Sequence, residues 1–212
     1  MMSPEDFQTR TGCSAEALAR LRLYAERLEK WQKAINLVAP KTLPLLWERH
    51  FLDSAQLLSL APPDTQRWLD LGSGGGFPGL VIAALGVPGM HLVESDQRKS
   101  AFLRDTAHAM GLRSVMVHVK RIEALDASAL HDQMDGAPQV ISARALAPLK
   151  ELIDLAHPLA AADTTFLFLK GRQAEDELTE ARRYWTLRSP DLLPSQTEAE
   201  ARIIRFATPD PA

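Results

Sequence analysis

At 212 residues with 46% hydrophobic side chains, the chain suits one globular domain with room for a terminal extension; no apolar run nears the roughly 20 residues that span a bilayer, and the first ten residues lack a secretory layout. A single cysteine, Cys13, excludes an intrachain disulfide framework and a cysteine-cluster metal site, so a soluble cytoplasmic protein is expected. The net charge of −3 arises in residues 151–212, with seven basic against eleven acidic side chains, while residues 1–60 and 61–150 are near neutral; an RNA partner is permitted through local basic clusters.

In chain order, Leu18, Leu21, Ala25, Leu28 and Ile35 recur at helical spacing and predict a helix over 14–38, with Ser14 as N-cap. A second helix is expected over 44–60, and Pro62-Pro63-Asp64 marks a break, dividing a helical cap (1–62) from the main domain (63–212). Strands and helices then alternate: strand 67–71, helix 78–85, strand 90–93, helix 96–110 closed by Gly111, strand 115–119 and strand 139–143. A helix at 148–157, an apolar strand at 164–169, a helix at 174–183 and two weaker strands at 184–188 and 201–206 complete the chain. The βαβα order demands a parallel sheet with helices on both faces and ligands at the strands' carboxyl ends. The last two strands are expected to pair as an antiparallel hairpin at one edge, an ending typical of S-adenosylmethionine methyltransferases.

The run Trp68-Leu69-Asp70-Leu71-Gly72-Ser73-Gly74-Gly75-Gly76-Phe77-Pro78-Gly79 reads as a buried strand, a glycine-rich turn and a new helix. Such a junction offers backbone N–H groups to an anionic or polar cofactor. Gly74, Gly76 and Gly79 satisfy the G-x-G-x-x-G dinucleotide fingerprint, with Glu94 at the end of the next apolar run. The overlapping pattern Asp70-x-Gly72-x-Gly74-x-Gly76 is that of S-adenosylmethionine enzymes. Asp70 favours the latter, because a carboxylate attracts a cationic ligand and repels a pyrophosphate.

Several short segments extend this reading: Trp31…Asn36-Leu37, His50-Phe51-Leu52-Asp53-Ser54, Arg121-Ile122-Glu123, Ser142-Ala143-Arg144-Ala145 and Leu169-Lys170-Gly171. Together with the glycine loop, and in this order, they resemble the bacterial small-subunit rRNA methyltransferase G family, also called glucose-inhibited division protein B. The resemblance covers about residues 31–171. It implies a class I S-adenosylmethionine-dependent methyltransferase: a Rossmann-like, mostly parallel seven-stranded sheet with an antiparallel C-terminal hairpin and an N-terminal helical extension. It further implies methylation of N7 of one guanosine, position 527 in the 530 loop of 16S rRNA. The partner would be that rRNA within the small ribosomal subunit or an assembly intermediate, with the enzyme a monomer and no membrane involved. Residues 124–138 form a longer loop than the family pattern suggests, and residues 172–212 carry no function over.

The candidate cofactor-binding residues are Asp70, Gly72, Gly74, Gly76, Phe77, Glu94, Ile122, Glu123 and Arg144. Glu94, ending the second strand, can accept bonds from both ribose hydroxyls, or else serve the next helix's N-terminus. Ile122 and Glu123 suit the face and edge of adenine. Phe77 either covers the ligand or packs under the helix. Arg144 can meet the cofactor's carboxylate, a phosphate or guanine O6, or form an ion pair with Asp70 or Glu94. Lys170 is a candidate substrate contact. His50 and Asp53, three residues apart on one predicted helix, are expected to bond each other and not to form a hydrolase triad. Arg98, Lys99, Arg104, Lys120 and Arg121 form either a solvated face or an RNA-phosphate patch. The four tryptophans Trp31, Trp47, Trp68 and Trp185 are expected in cores. No catalytic base is required for guanine N7, whose lone pair is free. Two other functions fit the residues: a nicotinamide-dependent oxidoreductase using the overlapping fingerprint, and a non-enzymatic ribosome-binding module.

Overall fold

The computed structural model describes residues 1–188 and 190–212. Its centre is a seven-stranded sheet in the order β3-β2-β1-β4-β5-β8-β7. The strands are β1 (Arg67–Leu71), β2 (Gly89–Val93), β3 (Met116–His118), β4 (Val140–Arg144), β5 (Thr165–Lys170), β7 (Asp191–Pro194) and β8 (Arg202–Ala207). β1 to β5 run parallel, and β8 and β7 close one edge antiparallel. β1 lies between β2 and β4, so the chain leaves β1 toward one side and reaches β4 on the other. Loops diverging at such a switch point open a crevice at the carboxyl ends of the strands.

Side chains alternate between two apolar layers, as a sheet buried on both faces requires. Trp68, Leu167, Leu169 and Ile203 face one layer. Leu69, Leu71, Phe166, Phe168 and Ile204 face the other. The first layer is covered by α1 (Pro4–Thr11), α2 (Ala15–Gln32), α4 (Gly79–Ala84) and α5 (Gln97–Ala109). α6 (Ala127–Gln133), α7 (Leu149–Ala156) and α8 (Ala174–Ala181) cover the second. The N-terminal helices share a continuous buried cluster with α4 and α5, including Phe7, Leu21, Tyr24, Leu28, Leu80 and Phe102.

The structure departs from the sequence expectations in five places, the last of them at the C-terminal edge of the sheet. α1 was not anticipated; Ser3 and Asp6 cap it reciprocally, an Asp replacing the usual Glu or Gln of that motif. α2 stops at Gln32 instead of residue 38, because the Gln32 side chain turns back to bond the backbone of Leu37 and Val38. The expected helix 44–60 is broken into a 3-10 segment (Pro40–Leu45), a π-helical segment (Trp47–Leu52), a single α-turn α3 (Asp53–Ala55) and another 3-10 segment (Gln56–Leu60). Ser54 donates back to the His50 carbonyl at 2.7 Å, the kind of competition that distorts a helical ladder. The fourth departure concerns the C-terminal half. The long loop 124–138 holds α6, capped by Asp126 and anchored by buried Leu130.

The edge hairpin is real, but its partners differ from those expected. β8 pairs with β7, whose two leucines are flanked by Pro190 and Pro194; proline at an edge strand hides the pattern without breaking the pairing. Trp185–Thr186, β6, pairs instead with Asp210–Pro211, β9, in a separate two-stranded ribbon. Trp68 is fully buried, while Trp31, Trp47 and Trp185 pack at the margins of the cores.

Candidate cofactor and acceptor site

Two clefts lie side by side at the carboxyl ends of the parallel strands. The first, about 420 Å³, is lined by Gly72, Ser73, Gly74, Gly75, Phe77, Glu94, Ile122, Glu123 and Arg144, with Lys99, Lys120 and Arg121 at its rim. The second, about 600 Å³, is lined by Thr42, Arg49, His50, Asp53, Arg144, Lys170, Glu177 and the loop between β7 and β8. Leu37, Arg144, Ala145 and Leu146 line both and form the neck between them.

The glycine loop is shaped for close approach. Gly72 has φ 64°, and a Cβ there would stand 2.6 Å from the Leu146 side chain. Gly74, φ 53°, turns its N–H to Glu94 Oε2 at 2.9 Å. The second carboxylate oxygen of Glu94 accepts from the Asp96 N–H at 2.8 Å. Two backbone donors therefore set the orientation of Glu94 before any ligand arrives. Tyr24 of α2 donates its hydroxyl to the Gly75 carbonyl and stacks on Phe77 with ring centroids 5.3 Å apart. A helix far away in sequence thus clamps the loop.

Two of the expected cofactor contacts lie elsewhere. Asp70 is fully buried beneath the loop, on the Trp68 face of β1. Its carboxylate accepts from Ser142 Oγ at 2.7 Å and from the Gly79 N–H at 3.3 Å, and Trp68 Nε1 donates to that same Ser142 at 2.8 Å. Burial pushes its pKa up to about 6. The side chain ties β1, β4 and the start of α4 together and does not line the first cleft, because alternation along β1 turns residue 70 inward. Gly76, φ 92°, also faces inward: a Cβ would meet the Tyr24 hydroxyl at 2.4 Å. Both support the cleft from below.

Arg144 ends β4 at the neck. Its guanidinium lies over the Phe77 ring, 4.8 Å from the centroid, and Nη2 donates to His50 Nδ1 at 2.9 Å. Nη1 faces Asp53 Oδ2 at 3.5 Å. Its carboxylate partner is thus Asp53, not Asp70 or Glu94. His50, in the π-helical segment, and Asp53, at the start of α3, do not bond each other; both turn to Arg144. Asp53 Oδ1 instead accepts from Thr197 at 2.8 Å, Gln56 at 2.9 Å and Ser195 at 3.2 Å, strapping the β7–β8 loop to the N-terminal segment. Phe77, 3% exposed, both packs under α4 and floors the neck. Lys170 lines the second cleft with its ammonium engaged: it pairs with Glu177 at 2.7 Å and donates to the Ala147 carbonyl. It braces the loop after β4 instead of standing free for substrate. Arg98 and Arg104 similarly donate to the carbonyls of Ala34 and Val117. Lys99, Lys120 and Arg121 have no ion-pair partner among the described residues, and all three line the first cleft.

The family model for rRNA small subunit methyltransferase G, GidB, matches residues 17–202. The chain belongs to that family. It is 49% identical over 209 residues to the ribosomal RNA small subunit methyltransferase G of Parvibaculum lavamentivorans, covering 97% of this chain and 89% of the relative. It is likewise 49% identical over 208 residues to that of Paramagnetospirillum magneticum, covering 97% and 95%. Among solved structures, a mutant of MtNAS in complex with S-adenosylmethionine superposes with a TM-score of 0.56 at 14% identity, covering 98% of this chain and 84% of that one. A ribosomal protein L11 methylase from Lactobacillus delbrueckii gives 0.55 at 14% identity, covering 74% and 76%; both share the class I fold. As a member of the family the protein is a methyltransferase with S-adenosylmethionine as methyl donor, which leaves the nicotinamide and non-enzymatic readings without support. The first cleft fits that donor: a prepositioned Glu94 carboxylate, an apolar Ile122, and glycines whose missing Cβ atoms keep it open. The residues that sequence reasoning missed are Tyr24, Thr42 and Leu146. They carry no local signature, being an ordinary helix residue, a 3-10 turn residue and a loop leucine.

Proposed function

We propose that this rRNA methyltransferase transfers its methyl group to N7 of the guanosine at position 527, in the 530 loop of 16S rRNA. The observation that carries this reading is the absence of a free general base at the neck among the described residues. His50 Nδ1 is occupied by Arg144, Asp53 by three polar side chains and Arg144, and Glu177 by Lys170 and the Leu149 N–H. An acceptor with a proton to lose, such as an exocyclic amine or a ribose hydroxyl, would be poorly served. Guanine N7 needs no base, because its in-plane lone pair is free at neutral pH.

When bound, S-adenosylmethionine supplies an electrophilic sulfonium methyl. Glu94 would hold the ribose hydroxyls, Ile122 and Glu123 the adenine, and the backbone of Gly72 and Gly74 the remainder of the ligand. The acceptor base would enter the second cleft with its N7 edge toward the neck, and Arg144 would donate to O6. Methyl transfer there would need no proton to move: the N7 lone pair would take the methyl group, the S–C electron pair would remain on sulfur and the base would become cationic, so the residues at the neck need only hold and orient the two partners. Alignment across the neck then supplies the rate, where well-oriented partners reach effective molarities of roughly 10⁵–10⁸ M. Lys99, Lys120 and Arg121 would meet RNA phosphates beside the cofactor cleft.

The test is transfer of labelled methyl to small subunits lacking the modification, and separately to naked 16S rRNA, followed by mapping of the labelled nucleoside. Label on N7 of guanosine 527 is the expected result, and label on another atom or nucleotide overturns the acceptor assignment. The two substrates also decide whether the assembled subunit is required.

A further inference from the structure

His50 is 8% exposed, lies against Phe77 and makes two side-chain bonds of opposite polarity. Its Nδ1 is 2.9 Å from Arg144 Nη2, and its Nε2 is 2.8 Å from Thr42 Oγ1. An arginine has only donors, so Nδ1 must accept and the ring proton must sit on Nε2. Thr42 agrees with that assignment: its hydroxyl donates to the Ala39 carbonyl at 2.8 Å and keeps a lone pair for the Nε2–H. The neighbours therefore select one neutral tautomer.

We propose that His50 is a positioning residue for methyl transfer, holding the Arg144 guanidinium through Nδ1 at the neck between the two clefts. The inference rests on the acceptor reading above. Asp53 and the Arg49 carbonyl take Nη1 at 3.5 and 3.4 Å, both long contacts, whereas His50 makes the short one on Nη2. With these bonds in place, Arg144 Nε–H and the second Nη2–H have no acceptor among the described residues and are left for a guanine O6. Protonated His50 would lose its acceptor and set two cations against each other. Burial, with Arg144 and Arg49 nearby, lowers its pKa to about 3 and keeps the ring neutral.

Asparagine and glutamine separate the two ring nitrogens. His50→Asn places an amide oxygen near the Nδ1 position and abandons Thr42; His50→Gln reaches the Nε2 position and abandons Arg144. Both variants are assayed for kcat and KM with modification-free small subunits, for cofactor Kd by calorimetry, and for Tm. The expected result is a kcat loss of about 10²-fold in His50→Gln, the scale of a misplaced reacting group. His50→Asn should recover at least tenfold of it, with cofactor Kd within about twofold in both. Equal losses, or a larger loss in His50→Asn, would mean that the Thr42 bond or simple packing is what matters, and would overturn the proposal. Nitrogen-15 NMR of histidine-labelled wild-type protein tests it without any variant: His50 should appear as the neutral Nε2–H tautomer, and an Nδ1–H tautomer or an imidazolium would sink it. If the wild type labels a different atom, the acceptor reading fails, while the Asn-to-Gln order on that product still judges His50.

Discussion

The two clefts are built on different principles. The first cleft, the proposed cofactor site, is organised around backbone: a glycine loop, two N–H groups orienting Glu94, and a short turn carrying Ile122. The second, the proposed acceptor site, is mostly side chain, assembled from the π-helical segment, the end of β4, the end of β5 and the β7–β8 loop. Backbone recognition is written in contiguous residues and tolerates little change in them. Side-chain recognition is spread over the chain and held by cross-links such as Asp53–Arg144 and Arg49–Glu198. Substitutions in the first should therefore abolish binding, and those in the second should spare binding while slowing transfer.

Gly74→Asp is the severest test of the backbone cleft. A Cβ there meets only the Gly72 carbonyl at 3.7 Å, and a left-handed Asp costs roughly 1–2 kcal/mol, so the fold should survive. The new carboxylate would face Glu94 and the ligand, and cofactor affinity measured by calorimetry should fall at least about 10²-fold. Unchanged affinity would remove the loop from the site. Arg144→Ala tests the other cleft: kcat should drop about 10²-fold while cofactor Kd moves by only a few fold. Parallel losses of activity and Tm would make Arg144 structural and erase the contrast between the clefts.

Asp70→Asn probes the support beneath both. Asp70 has a folded pKa of about 6, above the ordinary 3.8, so its protonated form favours the folded state. That contribution is present below about pH 4 and is lost as pH rises through about 6. The stability difference between wild type and variant, from denaturant titrations at each pH, should therefore decline across this window, on the order of 3 kcal/mol. His50 and His91, lowered to about 3 and about 4, act in the opposite sense, but they titrate in both proteins and cancel. A flat difference would show that Asp70 ionises freely in the fold. The smallest effect is expected from Tyr24→Phe, which leaves the buried Gly75 carbonyl without its donor. It should cost about 1–3 kcal/mol of stability and weaken cofactor binding by a few fold, while the transfer rate at saturating cofactor holds.

Legibility in the sequence followed the same division. The parallel strands, α5 with its Asp96 cap, and the loop from Gly72 to Glu94 could all be read because each rests on local rules: alternation, capping and glycine φ. The strand pairing at the C-terminal edge could not, because prolines mask β7 and register depends on which strand arrives beside β5. Asp70, expected at the ligand, faces the core for a related reason: a strand carboxylate before a glycine loop can face either way, and only its pairing with Ser142 decides.

The amino-acid order alone determined the fold class, the family resemblance and the glycine-rich turn after β1, since patterns of burial and turn chemistry are local properties of the chain. The tertiary structure alone decided that Arg144 stands between His50 and Asp53, that Tyr24 clamps the glycine loop, and that Lys170 braces a turn. Those contacts join residues about 20 to 95 positions apart, and nothing in their local sequence encodes a partner that only chain folding brings within hydrogen-bond reach.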